Sequence, residues 1–419
     1  MTSLTARPPV LVRSYAWLDA HARQVALAAV ALSLLLAGGY ALVLGDTLRY
    51  LDERVYVQLA GSLASGAGYS ADGVQATAYR PPGYPFLLTP VHGLTGGDVL
   101  AMRFVGVLAL AGCVWFGYRV GRRVFAAPAG ALAAVVLACY PLLTYTATAL
   151  YPQVPGLFLL LVTIDCGMSA VETRGGRRVA DVVIAGLAGG LLVLTVPNFA
   201  LSVVLVPVWM AWKRRGAWGA AAAVLALAVA VPGAWCVRNA LALHAFVPVS
   251  TNDGINLLLG NSEHTTAGSG TEVDISRYEQ HAKDHHLDEV GINRYFSDSA
   301  VDWITEHPGD AAVLYGEKLA NTFSFSSDMA TSGQGGRTAD LVLALTYYPV
   351  LLLAVLRVGL ARRWPLSRTE TLLAVLVVLN FLLQAVFFTR LRFRVPLDGL
   401  TVLLAASVVV RFARGSRGA

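Results

Sequence analysis

The chain has 419 residues, 56% of them hydrophobic and 14% charged, with a formal net charge of +6. Soluble domains carry about 25% charged residues, so this composition excludes a water-soluble globular domain and makes the bilayer the solvent. The arginines fall in short clusters between apolar runs, a pattern that sets membrane topology and excludes nucleic-acid binding as the origin of the positive charge.

Apolar runs long enough to cross a ~30 Å hydrocarbon core occur near residues 24–44, 98–118, 125–147, 152–171, 217–237, 339–358, 370–389 and 395–412. The first begins after Asp19, His21 and Arg23 and lacks a small-residue cleavage site, so it reads as a retained anchor. A further apolar stretch from Ala180 to Trp212 is broken by Pro197 and Asn198 and is too long for one crossing, so it counts as two. The expected fold class is an all-α polytopic membrane protein of about ten transmembrane helices. Its expected division is an N-terminal membrane module (1–237) containing a first outer loop (45–97), an extracytoplasmic loop (238–338) and C-terminal membrane helices (339–419).

Orientation follows from the basic clusters Arg119/Arg122/Arg123, Arg174/Arg177/Arg178, Lys213/Arg214/Arg215, Arg357/Arg362/Arg363 and Arg411/Arg414/Arg417. With ten spans all five fall on one side, the cytoplasmic one, which places both termini inside. The loops 45–97 and 238–338 then lie outside, the second with fourteen acidic and six basic residues, a balance that suits a non-cytoplasmic segment. In the first loop, Val55, Tyr56, Leu59, Ala60 and Leu63 recur at helical spacing and predict a short amphipathic juxtamembrane helix with Asp52 and Glu53 at its start. The glycine-rich stretch 66–73 ends it, Arg80-Pro81-Pro82-Gly83 forces a turn, and Tyr84–Leu94 forms a second interfacial segment. In the second loop, 301–325 reads as a helical pair around Pro308.

Arg390, Arg392 and Arg394 in TRLRFRVP fall on the outer side, against the positive-inside tendency, so a negative partner is expected there. Arg80 and Arg238 also lie outside beside membrane boundaries, and the set would meet a lipid phosphate at headgroup level. The bland alternative is contact with ordinary headgroups. Asp52-Glu53 sits at the same depth. Adjacent carboxylates there serve equally as a helix cap favoured by the dipole. Carboxylate and arginines together supply what transfer of a group from a lipid phosphate to a hydroxyl requires, a base and positive charge for the departing phosphate.

Other patterns carry less. Gly66-Ala67-Gly68-Tyr69-Ser70-Ala71 follows a predicted helix and not a strand, so it is no nucleotide fingerprint. His281, Asp284 and His285 have metal-like spacing in a highly charged loop, where a solvated helix face accounts for them. Asn239, Asn256 and Asn261 suit either sugar hydroxyls or loop capping. Cys113, Cys139, Cys166 and Cys236 lie in apolar stretches with no CxxC spacing.

These residues resemble the C-class membrane glycosyltransferases that use polyprenyl-phosphate sugars, among them the protein O-mannosyltransferases (family 39) and the lipid A aminoarabinose transferase. LDERVYVQLA after the first span is similar to the family's acidic motif, and YRPPGYP to its basic-Pro-Pro turn. RNALALHAFVPVSTNDGINLLLGN and RLRFRVPLDG are weaker matches. The resemblance implies an inverting hexosyl or pentosyl transfer to an acceptor at the extracytoplasmic face of the plasma membrane. It implies Asp52 as base with Glu53 supporting it, and Arg80, Arg392, Arg394 and Arg238 at the donor phosphate. Tyr79, Tyr84 and Asn239 are then expected in the substrate pocket. The implied partners are a polyprenyl-phosphate sugar donor, membrane lipid and a protein, lipid or glycan acceptor. A divalent cation is the one candidate cofactor, with no ligand set identified. The rival readings are a transporter or flippase for a lipid-linked sugar, an inactive lipid-sugar scaffold, and a ligase moving a whole lipid-linked glycan from a diphosphate.

Overall fold

The structure is a computed structural model that describes residues 10–325 and 336–415. Arg417 of the expected basic tail, and residues 326–335 of the second loop, lie outside the described residues. Among those described the fold is all-helical. In chain order the helices are α1 (Val10–Leu44), α2 (Leu51–Ala64), α3 (Gly83–Thr95), α4 (Val99–Val124), α5 (Ala127–Ala138), α6 (Pro141–Thr148), α7 (Gln153–Glu172), α8 (Gly175–Thr195), α9 (Ala200–Lys213), α10 (Trp218–Leu243), α11 (Asp253–Gly260), α12 (Ser276–Asp284), α13 (Glu289–Glu306), α14 (Pro308–Asn321), α15 (Arg337–Gly359), α16 (Arg368–Gln384) and α17 (Leu391–Gly415).

Among the described residues, seven helices (α1, α4, α7, α8, α10, α15 and α17) are long and apolar enough to cross a membrane. The pair α5 and α6, bent by 56°, makes an eighth if counted as one. The expected span 125–147 is thus a broken one. Pro141 holds Tyr140 in an extended conformation, which the clash before a proline favours. The break expected at Pro197 is present, with Val196 out of the helical conformation ahead of a single 3-10 turn. The other two expected spans correspond to α9 and α16, of 14 and 17 residues, which are short for a full crossing at ~1.5 Å per residue.

The centre of the bundle is α7, buried along almost its whole length and packed on α4, α8 and α17. Small residues set the spacing: a Cβ at Gly106 of α4 would run into the backbone of Ala147 on α6, so this contact requires glycine. The basic clusters gather the helix ends at one pole. Arg119 and Arg123 pair with Asp165 at 2.7 and 3.1 Å, and Arg357 and Arg411 share Glu370. Arg368 donates to the carbonyls of Trp212 and Lys213, and Arg214 to that of Val171.

At the opposite pole lie the two short segments expected in the first loop, α2 and α3, which pack on each other. The glycine of the Arg-Pro-Pro-Gly turn has a specific task. A Cβ at Gly83 would collide with the backbone of Leu194 and Thr195, so only glycine lets the start of α3 abut the end of α8. The expected pair around Pro308 is α13 and α14. Glu289 of α13 joins the two long loops: it accepts from Thr77 Oγ1 (2.6 Å), Thr251 Oγ1 (2.6 Å) and the amide of Ala78 (2.8 Å).

Candidate active site

The start of α2 carries two acidic side chains on different faces. Glu53 turns back over the helix start, accepting from the amides of Arg49 (2.6 Å) and Tyr50 (3.0 Å), the return half of a capping box. Its other oxygen meets Arg103 Nη1 at 3.1 Å, and both side chains are buried. Arg103 also donates to the carbonyls of Gly45 (2.9 Å), Thr47 (2.6 Å) and Thr148 (2.6 Å). One guanidinium, all three of whose nitrogens have partners, therefore ties together the end of α1, the start of α2 and the end of α6. Glu53, expected to support a base, belongs to this brace, with its carboxylate on Arg103 while Arg80 and Arg392 meet Asp52.

Asp52 faces the other way, into a partly open surface. Arg80 Nη2 lies 2.5 Å from Oδ1 and Arg392 Nη2 lies 2.9 Å from Oδ2, so each carboxylate oxygen takes one guanidinium. The three side chains are 16%, 17% and 28% exposed, enough for a ligand to reach them. Arg80 is held by its own turn, whose carbonyl accepts from Tyr69 OH at 2.8 Å, and its guanidinium lies 5.0 Å from the Tyr79 ring. Arg392 lies 4.5 Å from the Tyr151 ring. Tyr56, one turn along α2 from Asp52, lines the floor with its hydroxyl pushed up to about 12 by burial.

The remaining expected residues lie elsewhere. Arg392 and Arg394 are two residues apart on a helix that already begins at Leu391, and ~100° per residue sends them to opposite sides. Arg394 is buried against Asp398 (3.0 Å) and donates to the carbonyls of Thr322 and Ser324, with Tyr347 beneath it. Arg390 pairs with Glu272. Arg238 donates to the carbonyls of Thr77 (2.8 Å) and Tyr69 (3.1 Å) and lies 4.8 Å from the Trp235 ring, so it clamps the first loop to α10. Asn239 is buried and fastens Val247. Tyr84 is buried edge-on to Tyr56 at 5.1 Å, beneath the pocket, while Tyr79 is exposed beside Arg80. His281 and His285 stack on each other at 3.9 Å on an exposed helix face, with Tyr295 against His281. Asn261 accepts from the buried Lys318 (3.1 Å) and donates to Val386 O, a junction between the second loop and the segment that follows α16.

Tyr56, Tyr151 and Arg103 were not singled out by sequence reasoning. Tyr56 stands four residues after Asp52, the spacing that puts two side chains on one helix face. Arg103 was visible as a charge a few residues inside an apolar span, which requires a buried partner.

As a donor set, the pocket suits an anion. Two guanidinium groups outnumber one carboxylate, both of whose oxygens are taken. Among the described residues no three His, Cys, Asp or Glu side chains converge, and the residues around Asp52 do not fit a divalent cation.

This arrangement of helices is shared with solved membrane enzymes. The archaeal oligosaccharyltransferase AglB of Archaeoglobus fulgidus, solved with an inhibitory peptide and a dolichol-phosphate, is similar over 94% of this chain and 50% of its own, at 14% identity and a TM-score of 0.54. ArnT of Cupriavidus metallidurans, solved with undecaprenyl phosphate, is similar over 94% of this chain and 61% of its own, at 14% identity and a TM-score of 0.50. An A. fulgidus oligosaccharyltransferase structure holding Zn and sulfate matches at 16% identity, over 93% of this chain and 50% of its own, with a TM-score of 0.53. The chain thus spans between half and two thirds of these relatives. Residues 79–235, which begin just before Arg80, match the family model of dolichyl-phosphate-mannose-protein mannosyltransferases. No curated protein matches the chain in sequence.

Proposed function

We propose that the chain is a membrane glycosyltransferase that moves a sugar, hexosyl or pentosyl, from a polyprenyl monophosphate to an acceptor hydroxyl with inversion. The observation that carries this reading is the position of Asp52, a partly exposed carboxylate with Arg80 on one oxygen and Arg392 on the other. Asp52 takes the proton of the acceptor hydroxyl as that oxygen attacks the anomeric carbon. Arg80 and Arg392 bind the phosphate and offset the charge that grows on it as the anomeric C–O bond breaks. Glu53 and Arg103 fix the start of α2 and so the direction of Asp52. Tyr79 and the loop tied down by Glu289 border the sugar and acceptor.

The polyprenyl phosphates held by the AglB and ArnT structures support the donor class. The acceptor is a protein, lipid or glycan hydroxyl. The gathering of arginines at the opposite pole supports a cytoplasmic position for that pole. Both termini are then inside a plasma membrane, with Asp52 and residues 238–338 outside. A transporter would carry ionisable groups along a path through the spans. The buried acidic residues of the spans are instead taken up by arginines: Asp165 of α7 by Arg119 and Arg123 among the helix ends of the arginine-rich pole, and Asp398 of α17 by Arg394 one turn away.

The test is transfer of radiolabelled sugar by the purified chain in lipid from a panel of synthetic polyprenyl-phosphate sugars. Transfer by the wild type that Asp52→Asn and Arg80→Ala both lose is the expected result. Failure of the wild type to bind or use any donor of the panel would overturn the reading.

A further inference from the structure

Arg80 and Arg392 both meet Asp52, but they are carried differently. Arg392 stands on α17, whose helical hydrogen bonds fix its backbone, whereas Arg80 belongs to the stretch ahead of α3 that has no helical bonding of its own. Nor is its side chain anchored on every nitrogen: Arg80 Nε is buried with no hydrogen-bond partner among the described residues. Where this guanidinium points therefore depends on what holds the backbone beneath it.

That backbone is held from the second loop. Glu289 Oε2 accepts from Thr77 Oγ1 (2.6 Å), and its Oε1 accepts from the amide of Ala78 (2.8 Å) and from Thr251 Oγ1 (2.6 Å). Thr251 closes the link by donating its own amide to the Ala78 carbonyl at 2.9 Å. The Thr77 hydroxyl that Glu289 orients accepts in turn from the amide of Tyr79 at 3.0 Å. Arg238 and Tyr69 hold the two ends, at the carbonyls of Thr77 and Arg80. Residues 77–79 are thus fixed one after another, and the Glu289 carboxylate is the hub, since it takes donors from both loops.

The following rests on the transferase reading, which puts a phosphate on Arg80. We infer that Glu289 is a positioning residue for the donor phosphate: from the second loop it fixes the backbone of residues 77–79, and through that backbone it aims the guanidinium of Arg80. The start of α13 is then part of the donor site, acting through Arg80.

The experiment is equilibrium binding of farnesyl phosphate to the full chain in lipid nanodiscs, for the wild type, Glu289→Ala, Arg80→Ala and the double variant. Glu289→Ala binds about tenfold more weakly, within the worth of one charge-assisted hydrogen bond. In the Arg80→Ala background the same substitution adds less than about twofold, because the group it positions is gone. The sign is diagnostic. Deleting a negative charge near an anion site would by Coulomb's law tighten binding, so a carboxylate that did not position Arg80 would give no loss. Thr77→Val removes one of the three donors to Glu289, gives a smaller loss of the same kind, and carries the test if Glu289→Ala does not fold. Unchanged or tighter binding by these variants, or equal weakening with and without Arg80, would overturn the inference and leave the transferase reading standing. Absence of binding by the wild type, or equal binding by Arg80→Ala, would overturn both.

Discussion

Asp52 and Glu53 are adjacent on α2, yet one side chain is 16% exposed between Arg80 and Arg392 and the other 1% exposed against Arg103. A step of roughly 100° around the helix separates a carboxylate that a ligand can reach from one locked in a scaffold. The same contrast recurs at α17, where Arg392 faces the pocket and Arg394, two residues on, is buried over Tyr347. In both pairs the charge is the same, and the helical phase decides its use. Charges on the pocket side are incompletely satisfied by protein. Those on the core side have their hydrogen bonds filled by backbone carbonyls and opposite charge, as burial requires.

This contrast can be broken on either side. The largest effect is expected for Asp52→Asn, whose amide oxygen keeps one guanidinium while its NH2 cannot accept from the other: transfer falls by about 10²–10⁴-fold, the range of a lost general base, with a normal elution profile. Arg103→Ala acts on the scaffold side. It leaves Glu53 buried without its partner, which costs about 3–5 kcal/mol, and is read as loss of folded protein in detergent. Arg80→Ala removes one charge-assisted contact to the phosphate and lowers transfer about 10²–10³-fold with little change in stability. Arg392→Ala should raise the KM for donor by about tenfold, one charge-assisted hydrogen bond, whereas Arg394→Ala leaves that KM unchanged and lowers the unfolding temperature.

The smallest effect concerns Lys318, buried far from Asp52 and donating to Gly260, Asn261 and Val386. Burial lowers its ammonium to about 8. Between that value and the ordinary lysine value of 10.5, the unfolded chain holds a proton that the folded chain has released. Stability contributed at this site therefore rises with pH across the interval. The difference in unfolding temperature between pH 7.5 and 9.5 should be positive for the wild type and smaller for Lys318→Met.

The sequence made the membrane architecture legible because hydrophobic length is the dominant constraint on a spanning chain, and it located both short helices of the first loop. It also brought Asp52, Arg80 and Arg392 forward together, since charges at a membrane boundary stand out against apolar flanks. The resemblance singled out Asp52 over Glu53, but the residues by themselves separated neither that pair nor Arg392 from Arg394, because that depends on where a helix begins. The last span was expected from about residue 395, which left RLRFR as a connection with its arginines on one side. The helix starts at Leu391 and includes Pro396, so the alternation became a divergence. Arg238 and Asn239 illustrate a different gap. Their partners, Thr77 and Tyr69 for the first and Val247 for the second, lie across loops whose course no local pattern reveals.

The central claim is that, of the two adjacent carboxylates, Asp52 performs the chemistry and Glu53 holds it in place. Single-turnover sugar transfer, normalised to folded protein, should be compared for Asp52→Asn and Glu53→Gln in the same lipid. The account predicts that Asp52→Asn is folded and inactive, while Glu53→Gln yields less folded protein whose rate per molecule stays within about tenfold of wild type. A fully folded Glu53→Gln without activity, beside an active Asp52→Asn, would contradict it.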